Sequence, residues 1–338
     1  MIPDTITLSH GSGGRLMHEL IEELFVTHFS NPELNNLNDS AIVDVTSKGN
    51  KVAFTTDSFV VQPIFFPGGD IGKLALCGTI NDLSVDGALP LYIAVSFILE
   101  EGLPMSTLQR IVVSMAETAK KADVKIVTGD TKVVDKGSCD KLFITTTGIG
   151  VFKNDNVPLP DRVKPGDKII ISGYIGDHGI AVLSKREGLQ FETSLESDCA
   201  PLNALTRKML DASSNIKWMR DPTRGGIAAS LNEVVAGKSF GAVIKESSVP
   251  IRDSVRGACE MLGLDPMYVA NEGKIVAVVD SDDADKVLNA MRKDEAGVNA
   301  SVAGEIVEGP EGLVLIETDI GGKRILDMPR GELLPRIC

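Results

Sequence analysis

Four aspartates stand in short phrases of acids, hydroxyls and glycines, residue types that can hold a metal ion or a phosphate. They are Asp57 in TTDS, Asp82 in TIND, Asp130 in TGDT and Asp221 in RDPTRGG, and residues 129–131 are expected to form a turn after a strand. Each acid alone is most simply explained as a solvated surface residue. If the fold brings them together, however, their oxygens suit Mg²⁺, which is typically held by a few carboxylates together with substrate phosphates. Clustered acids without a cation would repel one another.

A second candidate for a functional site is the glycine-rich segment HGSGGR at residues 10–15. It lacks the last glycine of the dinucleotide-binding pattern, and the segment PGGDIGKL at 67–74 likewise fails the P-loop pattern. Consecutive glycines before the amphipathic stretch 16–25 would aim backbone amides at an anion. A glycine-rich helix start explains the same letters, and the sequence leaves both interpretations open.

The third candidate is Cys338, the last residue of the sequence. A prenylation box needs its cysteine fourth from the end, and PRIC does not provide one. An incidental exposed thiol is a second explanation, although such thiols are prone to oxidation. As a third, residues 331–338 could extend by about 3.3 Å each, roughly 26 Å in total, and carry a substrate on the sulfur.

The elements that must position these residues are predicted from hydrophobic periodicity, which indicates an α+β protein in two halves. In the first half we expect strands at 41–45, 51–56, 91–99, 124–128 and 142–151, and helices at 71–87 and 104–122. In the second half we expect strands at 167–173, 241–245, 274–279, 300–308 and 313–317, and helices at 177–187, 201–212, 224–235 and 284–292.

A segment with three prolines and no periodicity, 153–165, separates the two halves. We therefore predict an N-terminal domain over 1–155 and a C-terminal domain over 156–318. Residues 319–338 contain two prolines and no sustained period, and we expect them to form a flexible, exposed tail.

Length and charge narrow the function further. A chain of 338 residues predicts about two domains, and the net charge of −13 argues against nucleic acid as a partner. No apolar run is long enough to cross a bilayer and no basic leader precedes one, so we expect a cytoplasmic protein without a membrane partner. Five scattered cysteines indicate neither a disulfide framework nor a zinc ribbon.

At this point the chain resembles a known family. The phrases HGSGG, TTDSF, TINDLSVDGALP, TGDTKVV, RDPTRGGIA and NEGK, with the terminal PRIC, are similar to those of the HypE family of hydrogenase maturation factors. That family belongs to a superfamily with aminoimidazole ribonucleotide synthetase, thiamine-monophosphate kinase and selenophosphate synthetase. The resemblance spans essentially the whole chain. It implies two PurM-like α+β domains, a homodimer in which the N-terminal domains pair into a β-barrel, and ATP in the cleft.

The resemblance also implies roles for individual residues. It assigns Mg²⁺ to Asp57, Asp82, Asp130 and Asp221, whereas Asp86 does not match and is interpreted as local variation. The residues expected to bind ATP are these four aspartates with Gly11, Gly13, Gly14, Asn81, Gly129 and Thr131.

Catalysis needs cations and a base as well. Lys132 and Arg224 are candidate cations for the phosphoryl group, with surface ion pairs as the alternative. Glu272 is the expected base, with His10 second, although an exposed turn acid would look the same. The other histidines, His18, His28 and His178, are expected to have structural or solvent roles.

The activity implied is an ATP-dependent dehydration on Cys338. The carbamoyltransferase HypF would load a carbamoyl group onto the sulfur, and its conversion to a thiocyanate would supply cyanide to the iron of nickel–iron hydrogenases through the HypC–HypD complex. A selenophosphate synthetase would need a reactive cysteine beside the glycine-rich segment, and a thiamine-phosphate kinase would leave Cys338 without a role. A non-catalytic scaffold would tolerate loss of the acids.

Overall fold

The computed structural model describes residues 14–26, 35, 37, 41–44, 51–153, 157–188, 195–329, 331, 334 and 336–338. Within these residues the chain forms two domains, each built from one main β-sheet and its helices. The α+β class predicted from the sequence is therefore confirmed. None of the helices in the described ranges is long and apolar enough to cross a membrane.

The first domain contains a five-stranded sheet in the order β1-β2-β7-β5-β6 and a small hairpin of β3 and β4. Its strands are β1 (Ala41–Asp44), β2 (Lys51–Phe59), β3 (Phe65–Phe66), β4 (Gly69–Asp70), β5 (Leu89–Glu100), β6 (Lys125–Val134) and β7 (Leu142–Val151). Its helices are α1 (Arg15–Leu20, continued by a π-helical turn at Ile21–Val26), α2 (Ile71–Val85) and α3 (Met105–Ala122). Neighbouring strands in the sheet are antiparallel except β5 and β6, which run parallel.

Helix α2 lies between the two domains and is buried along nearly its whole length. Its large apolar side chains lie on all sides of the helix rather than in one stripe, because both domains pack against it and shield it from water. The Asp70 carboxylate caps the helix by accepting hydrogen bonds from the amides of Gly72 (2.8 Å) and Lys73 (3.2 Å). This central position allows residues on α2 to face both domains.

The second domain contains a seven-stranded sheet in the order β14-β13-β10-β12-β8-β11-β9. Its strands are β8 (Lys168–Ile171), β9 (Ile216–Arg220), β10 (Gly241–Lys245), β11 (Val276–Val279), β12 (Ser301–Val307), β13 (Val314–Glu317) and β14 (Lys323–Ile325). Its helices are α4 (Asp177–Glu187), α5 (Asn203–Ala212), α6 (Gly226–Val235), α7 (Asp253–Leu262) and α8 (Ala284–Met291). The first sheet ends at Val151 and the second begins at Lys168, and these ends lie on either side of the expected boundary.

The C-terminal segment differs from the exposed arm expected from its prolines. Strand β14 pairs with β13, and Leu326 is buried in the second core. Farther on, Ile337 and Cys338 are both buried against the first domain. The expectation of an exposed segment without regular structure is wrong for these residues: β14 extends the second sheet, and the Ile337 and Cys338 carbonyls accept hydrogen bonds from His178 and Val60, which lie far away in the sequence.

Candidate active site

A cavity of about 660 Å³ lies between the domains, and both contribute to its walls. Its polar lining includes Thr55, Asp57, Asp82 and Asp86 from the first domain, Arg220, Asp221, Arg224 and Glu272 from the second, and Cys338. The cleft therefore collects acids, arginines and a thiol whose sequence positions span the whole chain.

The first-domain acids reach the cavity from β2 and α2. Thr55 and Asp57 are two residues apart on β2, so they lie on the same face of the strand, the one covered by α2. The Thr55 hydroxyl donates to Oδ2 of Asp82 at 2.9 Å and holds that carboxylate in place. A Cβ on Gly78 of α2 would lie 2.8 Å from the Phe59 ring, so this glycine permits the close approach of helix and strand.

A tight corner places Asp221 and Arg224 at the opposite wall. Asp221 directly follows β9, and Arg224 precedes two glycines that open α6. Gly225 and Gly226 have φ of +77° and +60°, and a Cβ on Gly226 would lie 2.7 Å from the carbonyl oxygen of Met267. Only glycine adopts this left-handed corner without strain, and the corner sets Arg224 in the wall of the cleft.

Hydrogen bonds to its backbone hold Glu272 in position. The Asp198 carboxylate accepts the amides of Glu272 (3.1 Å) and Gly273 (3.2 Å). From the other domain, Nδ2 of Asn81 donates to the Glu272 carbonyl at 3.2 Å. The side chain itself is buried, and among the described residues its Oε1 has no hydrogen-bond partner. Burial raises the pKa of this carboxyl, and nearby acids and the Cys199 thiol raise it further.

Cys338 lies inside the cleft, with 7% of its surface exposed. Its Sγ accepts a hydrogen bond from Nε of Arg224 at 2.9 Å, and its carbonyl oxygen is 3.4 Å from the Val60 amide that donates to it. Burial raises the pKa of the thiol to about 12 and outweighs the opposing effect of Arg224. At neutral pH the docked sulfur is therefore an uncharged thiol.

Burial in the cleft disfavours the charged form of two of its aspartates. Burial raises the pKa of Asp57, and it raises the pKa of Asp221 to about 7, with Asp57 and Asp86 contributing to the latter. A bound cation would relieve this cost. Across the described ranges, no three acidic, imidazole or thiol groups converge as a ready metal site. The donor set thus fits Mg²⁺ held partly by phosphate oxygens better than a metal held by protein alone.

Three of the four predicted metal ligands line this cavity, and the fourth does not. Asp130 belongs to β6, an edge strand that continues through the turn expected at 129–131, and it pairs with Lys132. Their side chains are 63% and 68% exposed, and the neighbouring Thr131 is exposed as well. The expected cluster of four carboxylates is therefore not formed within one chain. Gly129 does not mark a turn; a Cβ there would lie 2.2 Å from the Val95 carbonyl oxygen.

Asn81 does not line the cavity as a nucleotide ligand would. It is fully buried, with Nδ2 donating to the carbonyls of Ala200 and Glu272 and Oδ1 accepting from the Leu202 amide at 2.8 Å. Its expected role in binding ATP is corrected to one of joining the two domains. This contact is still relevant to the site, because it holds the loop that carries Glu272.

The glycine-rich segment is described only from its last glycine onward. His10, Gly11 and Gly13 lie outside the described residues. At Gly14 a Cβ would lie 2.4 Å from the Pro329 carbonyl oxygen, which also accepts the Arg15 amide at 3.0 Å. The first amide of α1 is thus occupied by the chain itself, and the expected role of Gly14 in binding phosphate finds no support in this contact.

Sequence reasoning missed two kinds of residue. Asp86, interpreted as local variation, lines the cavity and contributes to the raised pKa of Asp221. His178, expected to be structural, contacts the C-terminal segment: Nε2 lies 2.8 Å from the Ile337 carbonyl oxygen. An acid one helical turn after Asp82 was a usable signal for Asp86. His178 had none, because its partner is 159 residues away.

Comparisons with known proteins agree with this architecture. Residues 37–152 match the model of the AIR synthase related protein N-terminal domain, and residues 164–316 match that of its C-terminal domain. A protein named carbamoyl dehydratase HypE from Cupriavidus necator is 49% identical over 333 residues, covering 98% of this chain and 95% of that protein. Its namesake from Escherichia coli is 46% identical, covering 99% of this chain and 100% of that protein.

Solved structures give the same result. A crystal structure of a HypE–HypF complex matches with a TM-score of 0.86 and 50% identity, covering 92% of this chain and 99% of that one. A structure of the hydrogenase maturation protein HypE in complex with ATP matches with a TM-score of 0.83 and 48% identity, covering 99% and 100%. By sequence and by fold, this chain belongs to the HypE family of AIR synthase related proteins.

Proposed function

We propose that this protein is an ATP-dependent carbamoyl dehydratase that converts an S-carbamoyl group on Cys338 to a thiocyanate. The observation that carries the proposal is the position of the Cys338 sulfur, inside a cleft with Arg224 at 2.9 Å and with Asp57, Asp82, Asp221 and Glu272 in the walls. The relatives named carbamoyl dehydratase and the relative bound to ATP support it.

The reaction balances without any further reagent. The carbamoyl oxygen attacks the γ-phosphorus of ATP, the bond to ADP breaks, and a phosphorylated intermediate forms with a good leaving group. Loss of the two N–H protons and cleavage of the C–O bond then give the nitrile and inorganic phosphate. The carbamoyl group has lost the elements of water, and ATP has become ADP and phosphate.

In this reaction Glu272 removes a proton from nitrogen. Within the part of the chain that the structure describes, its buried Oε1 has no hydrogen-bond partner, so it can accept a proton without breaking a contact there. A raised pKa brings a carboxylate nearer to the operating pH and makes it a stronger base once ionised. His10, which lies outside the described residues, is the second candidate base.

Arg224 stabilises charge beside the reacting group. Its guanidinium contacts the sulfur that carries the carbamoyl group, so it lies within reach of negative charge that develops on the transferred phosphoryl group. Asp57, Asp82 and Asp221 would hold Mg²⁺ together with the phosphates of ATP. When bound, the metal would neutralise charge on those phosphates.

We further propose a homodimer through the first sheet. The face of this sheet that is turned away from α2 exposes large apolar side chains of β2, β5 and β7, including Phe54, Tyr92 and Ile149. A contiguous apolar face of this kind is typical of an interface. Asp130 and Lys132 lie across from Ser96 and Ile98 on this side of β6, so pairing of two copies would bring them to the partner.

The partners follow from the chemistry. We propose HypF as the carbamoyl donor, supported by the similar HypE–HypF complex, and HypC–HypD as the recipient of cyanide. The proposed location is the cytoplasm. We also propose the domain bounds 1–155 and 156–318, with residues 319–338 as a C-terminal segment whose last residues dock in the cleft and leave it.

The decisive experiment compares two thiols. Cys338→Ala and the matched control Cys139→Ala, which removes a partly exposed thiol outside the cavity lining, are incubated with carbamoyl donor and Mg²⁺–ATP. Mass spectrometry of peptides should show the parent and the control gaining a carbamoyl group on the Cys338 peptide and then losing one water. Cys338→Ala should do neither. Thiocyanate on any other cysteine would overturn the proposal.

A further inference from the structure

The peptide that precedes Cys338 is held from both sides. The Val60 amide donates to the Cys338 carbonyl, and the Gln62 amide donates to the Arg336 carbonyl at 3.1 Å, so the segment pairs like a short antiparallel strand. On the other side, His178 lies 2.8 Å from the Ile337 carbonyl, the group bonded directly to the Cys338 nitrogen. Once this peptide is fixed, the sulfur retains little freedom beyond rotation about one side-chain bond.

The hydrogen bonds of His178 determine which ring nitrogen carries its proton. A carbonyl can only accept, so Nε2 must donate to Ile337. Burial lowers the pKa of His178 and keeps the ring neutral, which leaves Nδ1 as an acceptor for the Ser197 hydroxyl at 2.8 Å. The Ser197 oxygen accepts in turn from the Cys199 amide at 3.1 Å. In this series of hydrogen bonds, from Ile337 through His178 and Ser197 to the Cys199 amide, each donor therefore has an acceptor.

The same short segment positions Glu272. Asp198, between Ser197 and Cys199, accepts the amides of Glu272 and Gly273. The start of α4 is tied to the Glu272 loop a second time, since the Gly179 amide donates to the Ala270 carbonyl at 3.1 Å. His178 is thus connected to the proposed base on one side and to the thiol on the other.

We infer that His178 is a positioning residue, which holds the Cys338 peptide in fixed register with Glu272 through Ser197 and the adjacent Asp198. The inference rests on the proposed function for its effect on turnover, but not for its effect on the docked thiol. It makes residues 197–199 the part of the structure that sets the distance between proposed base and substrate.

The test uses four variants of the full chain. His178→Leu removes both hydrogen bonds, whereas His178→Gln keeps an N–H donor near the position of Nε2. Ser197→Ala leaves the bond from Nε2 to Ile337 in place and removes the donor to Nδ1 together with the acceptor of the Cys199 amide. The control is Ser184→Ala, a buried serine on the same helix whose hydroxyl donates to the Ile180 carbonyl instead of to any described residue of the C-terminal segment. Thermal unfolding confirms that each variant folds.

The first readout is the rate at which iodoacetamide alkylates Cys338, measured on its peptide with buried Cys259 as the internal reference. Loss of a buried hydrogen bond predicts alkylation about 10-fold faster in His178→Leu. His178→Gln and Ser184→Ala should stay within about 2-fold of the parent, and Ser197→Ala should be intermediate. Alkylation of His178→Leu at the parental rate would overturn the inference. If His178→Leu does not fold, parental alkylation in Ser197→Ala would overturn it instead.

The second readout is single-turnover loss of water from protein carbamoylated at Cys338 beforehand. In His178→Leu the carbamoyl group should lose water at least about 10-fold more slowly than in the parent at saturating ATP, with unchanged ATP affinity. In His178→Gln the rate of water loss should return toward that of the parent. Parental water loss in His178→Leu would overturn the role of His178. If the parent itself loses no water while alkylation follows the expected order, the proposed function is wrong and the docking role of His178 stands.

Discussion

Asp130 and Asp221 come from similar acid phrases but lie in opposite surroundings. Asp130 is on an open edge strand, where Lys132 lowers the pKa of its carboxyl. Asp221 is buried in the cleft, where loss of water raises its pKa to about 7 although Arg220 is near. The comparison shows that the residue type alone does not make a ligand site. Burial beside other acids creates the shortage of positive charge that a bound cation or a proton must correct.

The largest difference between cleft and edge should come from Glu272. Glu272→Gln keeps the shape and the backbone contacts but removes the base, so ATP-dependent loss of water from carbamoylated Cys338 should fall by about 10²- to 10⁴-fold. Carbamoylation by the donor should continue. The control is Glu101→Gln, an exposed acid beyond the end of β5, which should have parental activity. Water loss at the parental rate in Glu272→Gln would remove it as the base.

A smaller effect tests whether a dimer brings the edge strand β6 of one copy to the cleft of the other. Asp57→Asn and Asp130→Asn should each lose most ATP-dependent activity if a dimer brings Asp130 of one copy to the cleft of the other. After unfolding and refolding as an equimolar mixture, about a quarter of the clefts would regain both acids, because random pairing in a symmetric dimer restores one cleft in each mixed pair. Activity near that fraction sharpens the comparison. No recovery, or an active Asp130→Asn protein, would place Asp130 outside the site.

The smallest expected effect is on stability. Asp221 has an ordinary pKa of 3.8 and a folded pKa of about 7, so between these values the folded state retains a proton that the unfolded state has lost. The contribution of Asp221 to the stability of the parent therefore falls as pH rises from 4 to 7. Asp221→Asn has no such proton and should gain, relative to the parent, on the order of 1 kcal/mol or more over this range.

Unfolding midpoints at about pH 5 and about pH 8, without nucleotide, measure this gain. Asp130→Asn is the matched control from the edge strand: its pKa is lowered, so both states are ionised over this interval and the variant should show no such pH dependence. An Asp221→Asn protein whose advantage does not grow with pH would mean that the folded state leaves Asp221 ionised.

The elements predicted from periodicity were those with an uninterrupted apolar pattern. Helix α4 has the expected bounds, and α2 and α3 agree within two residues at either end. Strand β9 was missed because Lys217 interrupts its apolar run. The structure resolves that conflict by pairing the buried Lys217 ammonium with Asp167 at 2.6 Å and with Asp280 at 3.0 Å, partners that local sequence cannot reveal.

The site was predicted to a similar extent. The cleft does bring together Asp57, Asp82, Asp221, Arg224, Glu272 and Cys338. These residues could be predicted because the acid phrases and the terminal PRIC are recognisable in the sequence. The sequence could not show which of the candidate side chains are exposed and which are buried. It placed Asp130 in a turn because of Gly129, whereas that glycine serves close strand packing. It also took Asn81 as a ligand, whereas its amide is consumed between domains.

The neutral, buried state of Cys338 has a consequence for the timing of the proposed cycle. A thiol with a pKa of about 12 that is buried in the cleft cannot attack a carbonyl held by another enzyme, since the thiolate is the nucleophile. Loading and dehydration therefore exclude each other in time. Because substrate and product stay on the same sulfur, product release is the undocking of a protein segment, and the nitrile remains shielded from outside nucleophiles until that segment leaves.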